Sequence, residues 1–169
     1  QGGDAALVAV ADAGRGIISS RSQGCTSLAQ FDFLINTTRR LLSSPGARQG
    51  GTLEVCEVGF NAGYSSVPFL LTHPTCRVVS FDIGEHAASF VAKSWIDREF
   101  PDRHQFVIGD SRISLVAWQD RCDLFFIDGG HEYSLVNSDM KQMYRIANDH
   151  YRPNGLTAEP GPYVIFGMC

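Results

Sequence analysis

Four acids and two glycines carry most of the chemistry that this sequence could do. Glu57 lies in the apolar run Leu53-Glu-Val-Cys-Glu-Val58, and Gly59-Phe-Asn-Ala-Gly63 follows at once. Asp82 closes Arg77-Val-Val-Ser-Phe-Asp82, Asp110 closes Gln105-Phe-Val-Ile-Gly-Asp110, and Asp128 closes Asp123-Leu-Phe-Phe-Ile-Asp128. A strand that runs through glycines into a helix brings backbone N–H groups and a positive helix end to one point. A carboxylate about 20 residues beyond such a loop is placed to accept from both hydroxyls of a ribose. The competing role for Asp82 is an ordinary helix N-cap, which Asp also serves well. The spacing Gly59-x-x-x-Gly63 departs from G-x-G-x-x-G, and no G-K-[ST] follows it. Glu57 beside the loop disfavours a pyrophosphate and suits a cationic or amino-bearing ligand.

Each acid ends a strand-like run, so the elements between them fix where they meet. Leu28, Phe31, Leu34, Ile35, Leu41 and Leu42 recur at helical spacing and predict a helix over Ser27–Leu42. Further helices are expected over Ser65–Thr72, Ala87–Glu99, Ser111–Trp118 and Leu135–His150, with a fifth strand at Tyr163–Phe166. Turn-forming residues break the chain at 43–51 and 152–155. Strands alternating with helices predict right-handed crossovers and a mostly parallel sheet covered on both faces, a three-layer α/β sandwich. In such a sheet the carboxyl ends of the strands share one crevice, and all four acids fall there. Trp95 and Trp118 are expected to pack in the core. Residues 1–26 read as a partly ordered lead-in with one helical piece near Ala5–Ala13, and residues 27–169 as the domain.

A chain of 169 residues is long enough for one domain with a substantial core. With 44% hydrophobic and 19% charged residues it has an ordinary globular balance, which excludes wholesale disorder. The net charge of −4 and the absence of a Lys/Arg run give a nucleic-acid partner no support. No apolar stretch approaches the roughly 20 residues that span a bilayer, and Ala5–Ala11 lacks the basic flank of a signal peptide. No membrane partner is expected. The five cysteines are scattered without a C-x-x-C pair. Cys56 and Cys122 sit in or beside apolar runs and read as small buried hydrophobes rather than as disulfide or zinc partners. Reducing, cytoplasmic surroundings follow from that reading.

Glu57-Val-Gly-Phe-Asn-Ala-Gly63, Ser80-Phe-Asp82, Gly109-Asp-Ser111 and Phe126-Ile-Asp-Gly-Gly-His-Glu-Tyr133 form an ordered set. Together they resemble class I S-adenosylmethionine-dependent methyltransferases, nearest to the small-molecule O-methyltransferase branch. The resemblance runs from Leu53 to Phe166 and implies a Rossmann-like fold. It implies that the loop and helix start, with Gly59, Asn61, Gly63, Tyr64 and Ser65, face the methionine moiety, with Glu57 near its amino group. Asp82 would hold the ribose hydroxyls, Ile83 would pack beside the adenine, and Asp110 and Ser111 would meet the adenine edge. Asp128 would lie on the sulfonium side, with His131 and Tyr133 lining the acceptor side. Methyl transfer needs alignment and a deprotonated acceptor, which makes His131 the natural base, with Asp128 as its catalytic neighbour. The competing role for His131 is a hydrogen bond that orients its loop.

Two departures from the family pattern sharpen the expectation. Many relatives hold a divalent cation with further acids, but here Gly130 follows Asp128 by two and the last strand ends Ile165-Phe-Gly-Met168. One carboxylate and a histidine suit a hard cation poorly, so no divalent metal is expected. The family sheet also continues past a fifth strand, whereas this sequence stops at Cys169. A longer protein, or a partner such as a second copy completing the sheet, is the expected explanation. The expected function is methyl transfer to a small-molecule acceptor, at oxygen. The alternatives are a catalytically inactive cofactor-binding module and an NAD-type oxidoreductase.

Overall fold

In the computed structural model, which describes residues 28–43, 52–151 and 163–167, the strand before the glycine loop is the centre of the sheet. The elements in chain order are α1 (Leu28–Leu42), β1 (Leu53–Val58), α2 (Ser66–Thr72), β2 (Cys76–Asp82) and α3 (Ala87–Glu99). They continue as β3 (His104–Ile108), α4 (Ser111–Ala117), β4 (Leu124–Ile127), α5 (Tyr133–Tyr151) and β5 (Tyr163–Phe166). All pairings are parallel, in the order β3-β2-β1-β4-β5. This is the Rossmann-like, three-layer arrangement that the alternation predicts. The lead-in, its helical piece near Ala5–Ala13 and the turn at 152–155 lie outside the described residues, as does most of the turn at 43–51.

Side-chain alternation along β1 sorts the core into two layers. Val55 faces one side with Val78, Leu124 and Phe126, where Leu34, Phe69, Leu70 and Ile96 from α1, α2 and α3 cover them. Cys56 and Val58 face the other with Val79, Phe81, Phe125 and Ile127, beneath Leu115 of α4 and Met143 and Ile146 of α5. Burial on both faces is why β4 is wholly apolar, each such side chain contributing about 1.5–3 kcal/mol. Trp95 packs against the first layer, and Trp118 stands edge-on to Phe81 at 5.3 Å. None of the described helices is long and apolar enough to cross a membrane.

Two expectations change here. The third strand stops at Ile108 rather than Asp110: Gly109 still donates to the Asp82 carbonyl at 2.8 Å, but its φ of 147° turns the chain out of the strand and Asp110 caps α4. Asp110 and Asp128 therefore sit in the loops beyond β3 and β4, while Asp82 is the last residue of β2, paired with Ile108. The cysteine reading is overturned. Cys56 and Cys122 form a disulfide, with 5.7 Å between their Cα atoms. Pairing of β1 with β4 brings the two onto the same buried face, and apolar neighbours in sequence gave no sign of that meeting. The inference of reducing surroundings rested on unpaired thiols and loses that support.

Candidate functional site

The order of the strands reverses between β1 and β4, and a crevice opens beyond their carboxyl ends. Gly59 stands at that point with a φ of 91° and donates to the Phe81 carbonyl at 2.9 Å. A Cβ on Gly59 would lie 2.3 Å from the Asp128 carbonyl oxygen. The loops after β1 and β4 thus meet backbone to backbone, and only glycine leaves the space. Beside this seam is a cavity of about 490 Å³, a size that suits a nucleoside-sized ligand. Gly59, Asn61, Tyr64, Ser65, Asp82, Ile83, Asp110, Ser111, Asp128 and His131 all line it.

Asp82 is busier than the sequence suggests. Its Oδ2 accepts the backbone N–H of Phe60 at 2.8 Å and of Asn61 at 3.0 Å, and its Oδ1 accepts that of Gly84 at 2.7 Å. A carboxylate offers about four lone-pair sites, so three are taken by the protein's own backbone. Asp82 ties the glycine loop to the end of β2 and keeps room for one ligand hydroxyl, not the two expected. Asn61 adopts a φ of 46° inside this clamp, a conformation that Asn tolerates better than most residues. Phe60 anchors the loop from beneath, buried and stacked on His104 at a centroid distance of 4.9 Å.

Asp110 is committed too. It caps α4 by accepting the Arg112 backbone N–H at 2.9 Å, and the Arg112 guanidinium grips both carboxylate oxygens. Arg112 holds its carboxyl at about 2, so Asp110 presents a fixed, neutralised acceptor at the rim. Ile83 is 57% exposed at the same end, an apolar surface that a flat ring could cover. Burial pushes the Asp128 carboxyl up, and neighbouring His131 pulls it partly back.

Three residues are not where sequence reasoning put them. Glu57 is fully buried and does not line the cavity. On β1 its side chain shares a face with Val55, which turns it beneath the loop rather than into the crevice. Gly63 does not line the cavity either. Its φ of 75° serves the turn into α2, packed on Ile96 and Phe60. Tyr133 opens α5, is 84% exposed and does not line the cavity. The cavity also gains Arg112, His86 and Leu135. Arg112 stands two residues past Asp110 in the first turn of a helix, a signal the sequence did carry.

The charge of the lining is lopsided: Asp82, Asp110 and Asp128 face one guanidinium, that of Arg112. Such a lining favours a cationic ligand over a phosphate. Among the described residues no group of three His, Cys, Asp or Glu is placed to hold a metal ion.

A family model described as a methyltransferase domain matches residues 56–158. No curated relative matches the chain. Among solved structures, cofactor-bound Rv0187 from MTB superposes with a TM-score of 0.59 at 22% identity, over 81% of this chain and 60% of that one. An O-methyltransferase from Bacillus cereus in complex with SAH gives 0.55 at 22%, over 80% and 59%. The SAH-bound methyltransferase PaMTH1 from Podospora anserina gives 0.53 at 19%, over 70% and 48%. The chain spans about half to three-fifths of the length of these structures, and at such identities the likeness is one of fold.

Proposed function

Because the chain belongs to the methyltransferase-domain family, we propose that its cavity binds S-adenosylmethionine and directs methyl transfer to the oxygen of a small-molecule acceptor. The observation that carries this reading is the meeting of Gly59 with the Asp128 carbonyl at a crevice rimmed by three carboxylates. A nucleoside fits the residues present: Asp82 retains a lone pair for a hydroxyl, Ile83 offers an apolar face, and Asp110 gives a fixed acceptor. The acidic lining suits a sulfonium and an ammonium group and disfavours a pyrophosphate, which argues against the NAD-type alternative.

When bound, S-adenosylmethionine supplies an electrophilic methyl group. The chain's own residues then align the acceptor and manage its proton. His131, exposed at the cavity mouth and close enough to Asp128 to act on its charge, would take the proton of an acceptor hydroxyl. Asp128 would stabilise the resulting imidazolium. Leu135 narrows the same side of the mouth, where a Cβ on Gly130 would stand 2.6 Å from its side chain.

Calorimetric titration with S-adenosylmethionine, its demethylated product SAH and NAD tests the donor. Binding of the first two, lost in Asp82→Ala, supports the proposal, whereas binding of NAD alone overturns it. An acceptor panel then tests His131→Ala, expected to lower kcat while leaving donor affinity within about threefold. The inactive-module reading is favoured by one feature: Tyr133, expected to line the acceptor side, is exposed and does not line the cavity. Donor binding without turnover on any acceptor would select it.

A further inference from the structure

Beneath the glycine loop lies a polar chain that the reading above does not use. Glu57 accepts from the hydroxyls of Ser65, Ser66 and Ser80, the last two at 2.5 Å and 2.6 Å. Ser80 in turn meets His104 Nε2 at 2.9 Å. His104 is 8% exposed, and its Nδ1 has no hydrogen-bond partner among the described residues. Ser65 occupies the N-cap position of α2, yet its hydroxyl makes no cap bond and goes to Glu57 instead. It is also the serine of this set that lines the cavity.

We propose that Glu57, reached from the cavity through the Ser65 hydroxyl, is a charge-responsive acid that yields a proton when a cationic ligand enters and regains it when that charge is lost. The inference rests on the methyl-donor reading, which makes the ligand cationic before transfer and uncharged at sulfur after it. Ionised, the carboxylate is acceptor-only and takes all three serine protons. Protonated, it must donate one bond, so one serine must reverse. Ser80 is able to, because His104 Nε2 can accept its proton once the ring proton sits on Nδ1. The proton leaves once the Ser65 hydroxyl turns to donate to water in the cavity: Glu57 passes its proton to the Ser65 oxygen as the Ser65 proton goes to that water, and the restored hydroxyl turns back to the carboxylate. Burial, helped by the charge of Asp128 beyond β4, outweighs the three serine bonds and lifts Glu57 to about 7. Burial lowers His104 to about 4, so it stays neutral throughout. A positive ligand one hydroxyl away favours the ionised form.

Titration calorimetry at pH 7 in buffers of low and high ionisation enthalpy counts the protons released on binding. Wild type should release up to about half a proton with S-adenosylmethionine and clearly less with SAH. Glu57→Gln should abolish the difference between the two. Ser80→Ala, the second variant, removes a bond that favours the carboxylate and should move maximal release to higher pH. Equal release with both ligands, or the same release from Glu57→Gln as from wild type, overturns the inference and leaves the donor reading standing. Failure of wild type to bind either ligand overturns the donor reading, and this inference with it.

Discussion

The Asp82 carboxylate accepts the Phe60 backbone N–H at 2.8 Å, joining the end of β2 to the loop after β1 across 22 residues of sequence. Together with the Asn61 and Gly84 bonds, it makes the acid a structural clamp before any ligand arrives. Hydrogen bonds to a charged group contribute about 1.5–3 kcal/mol each, so the clamp defines the shape of the loop. Asp82→Ala should lower stability by about 2 kcal/mol and weaken S-adenosylmethionine binding by about 10-fold or more. Asp82→Asn keeps one acceptor oxygen and should fall between. Thermal melts and calorimetry on both variants check this; unchanged melting in Asp82→Ala would contradict the clamp.

Two glycines with positive φ should respond differently to the same substitution. Gly59→Ala meets the backbone of Asp128, which cannot yield, and should cost about 3 kcal/mol or more. Gly109→Ala meets nothing within 4 Å and should pay only for its φ of 147°, about 1 kcal/mol. Urea unfolding of the pair tests the seam. Equal losses would show that the approach of the two loops is not what demands glycine at 59.

Gly167 provides a third case. Its φ is not in the left-handed region, but a Cβ there would stand 2.3 Å from the Asp128 Cγ. The same Cβ would stand 2.5 Å from the Asp128 Cβ, which no rotation moves, so Gly167→Ala should displace Asp128 at a stability cost of about 2 kcal/mol. Turnover should fall more than donor affinity does. If kcat holds while affinity collapses, Asp128 serves the donor and not the transfer.

Glu57 also predicts a dependence of stability on pH. Its folded-state value is raised from 4.5 to about 7, so the folded chain holds this proton more tightly than the unfolded one. That contribution is complete below about pH 4.5 and is lost as pH rises through about 7, and it amounts to about 3 kcal/mol. Glu57→Gln cannot titrate. Urea unfolding across pH 5 to 8.5 should show the stability gap between the variants shifting in favour of Glu57→Gln as pH rises. Parallel curves would refute the assignment.

The buried Cys56–Cys122 disulfide closes a long loop, with a sequence separation of 66. Cys56→Ala/Cys122→Ala should lose about 2–5 kcal/mol, and reductant should lower the melting temperature of wild type but not of the double variant. Thiol titration of the unfolded chain, with and without reductant, counts the bridge directly.

The sequence by itself determined the elements, the parallel sheet and the crevice. Period-2 and helical patterning, turn residues and an apolar β4 are local signals, and each element among the described residues formed within a few residues of its expected place. It also placed ten of the proposed site residues around one cavity, because acids and glycines just past strand ends must converge in this topology. What each side chain touches was decided by tertiary structure. Glu57 finds Ser80 from 23 residues away, and Cys56 finds Cys122 across two strands that are neighbours only in the folded sheet. Asp82 spends its lone pairs on backbone N–H groups that any sequence would carry. Such partners are set by strand order and by which face a side chain takes, and neither is written in the spacing of residues along the chain.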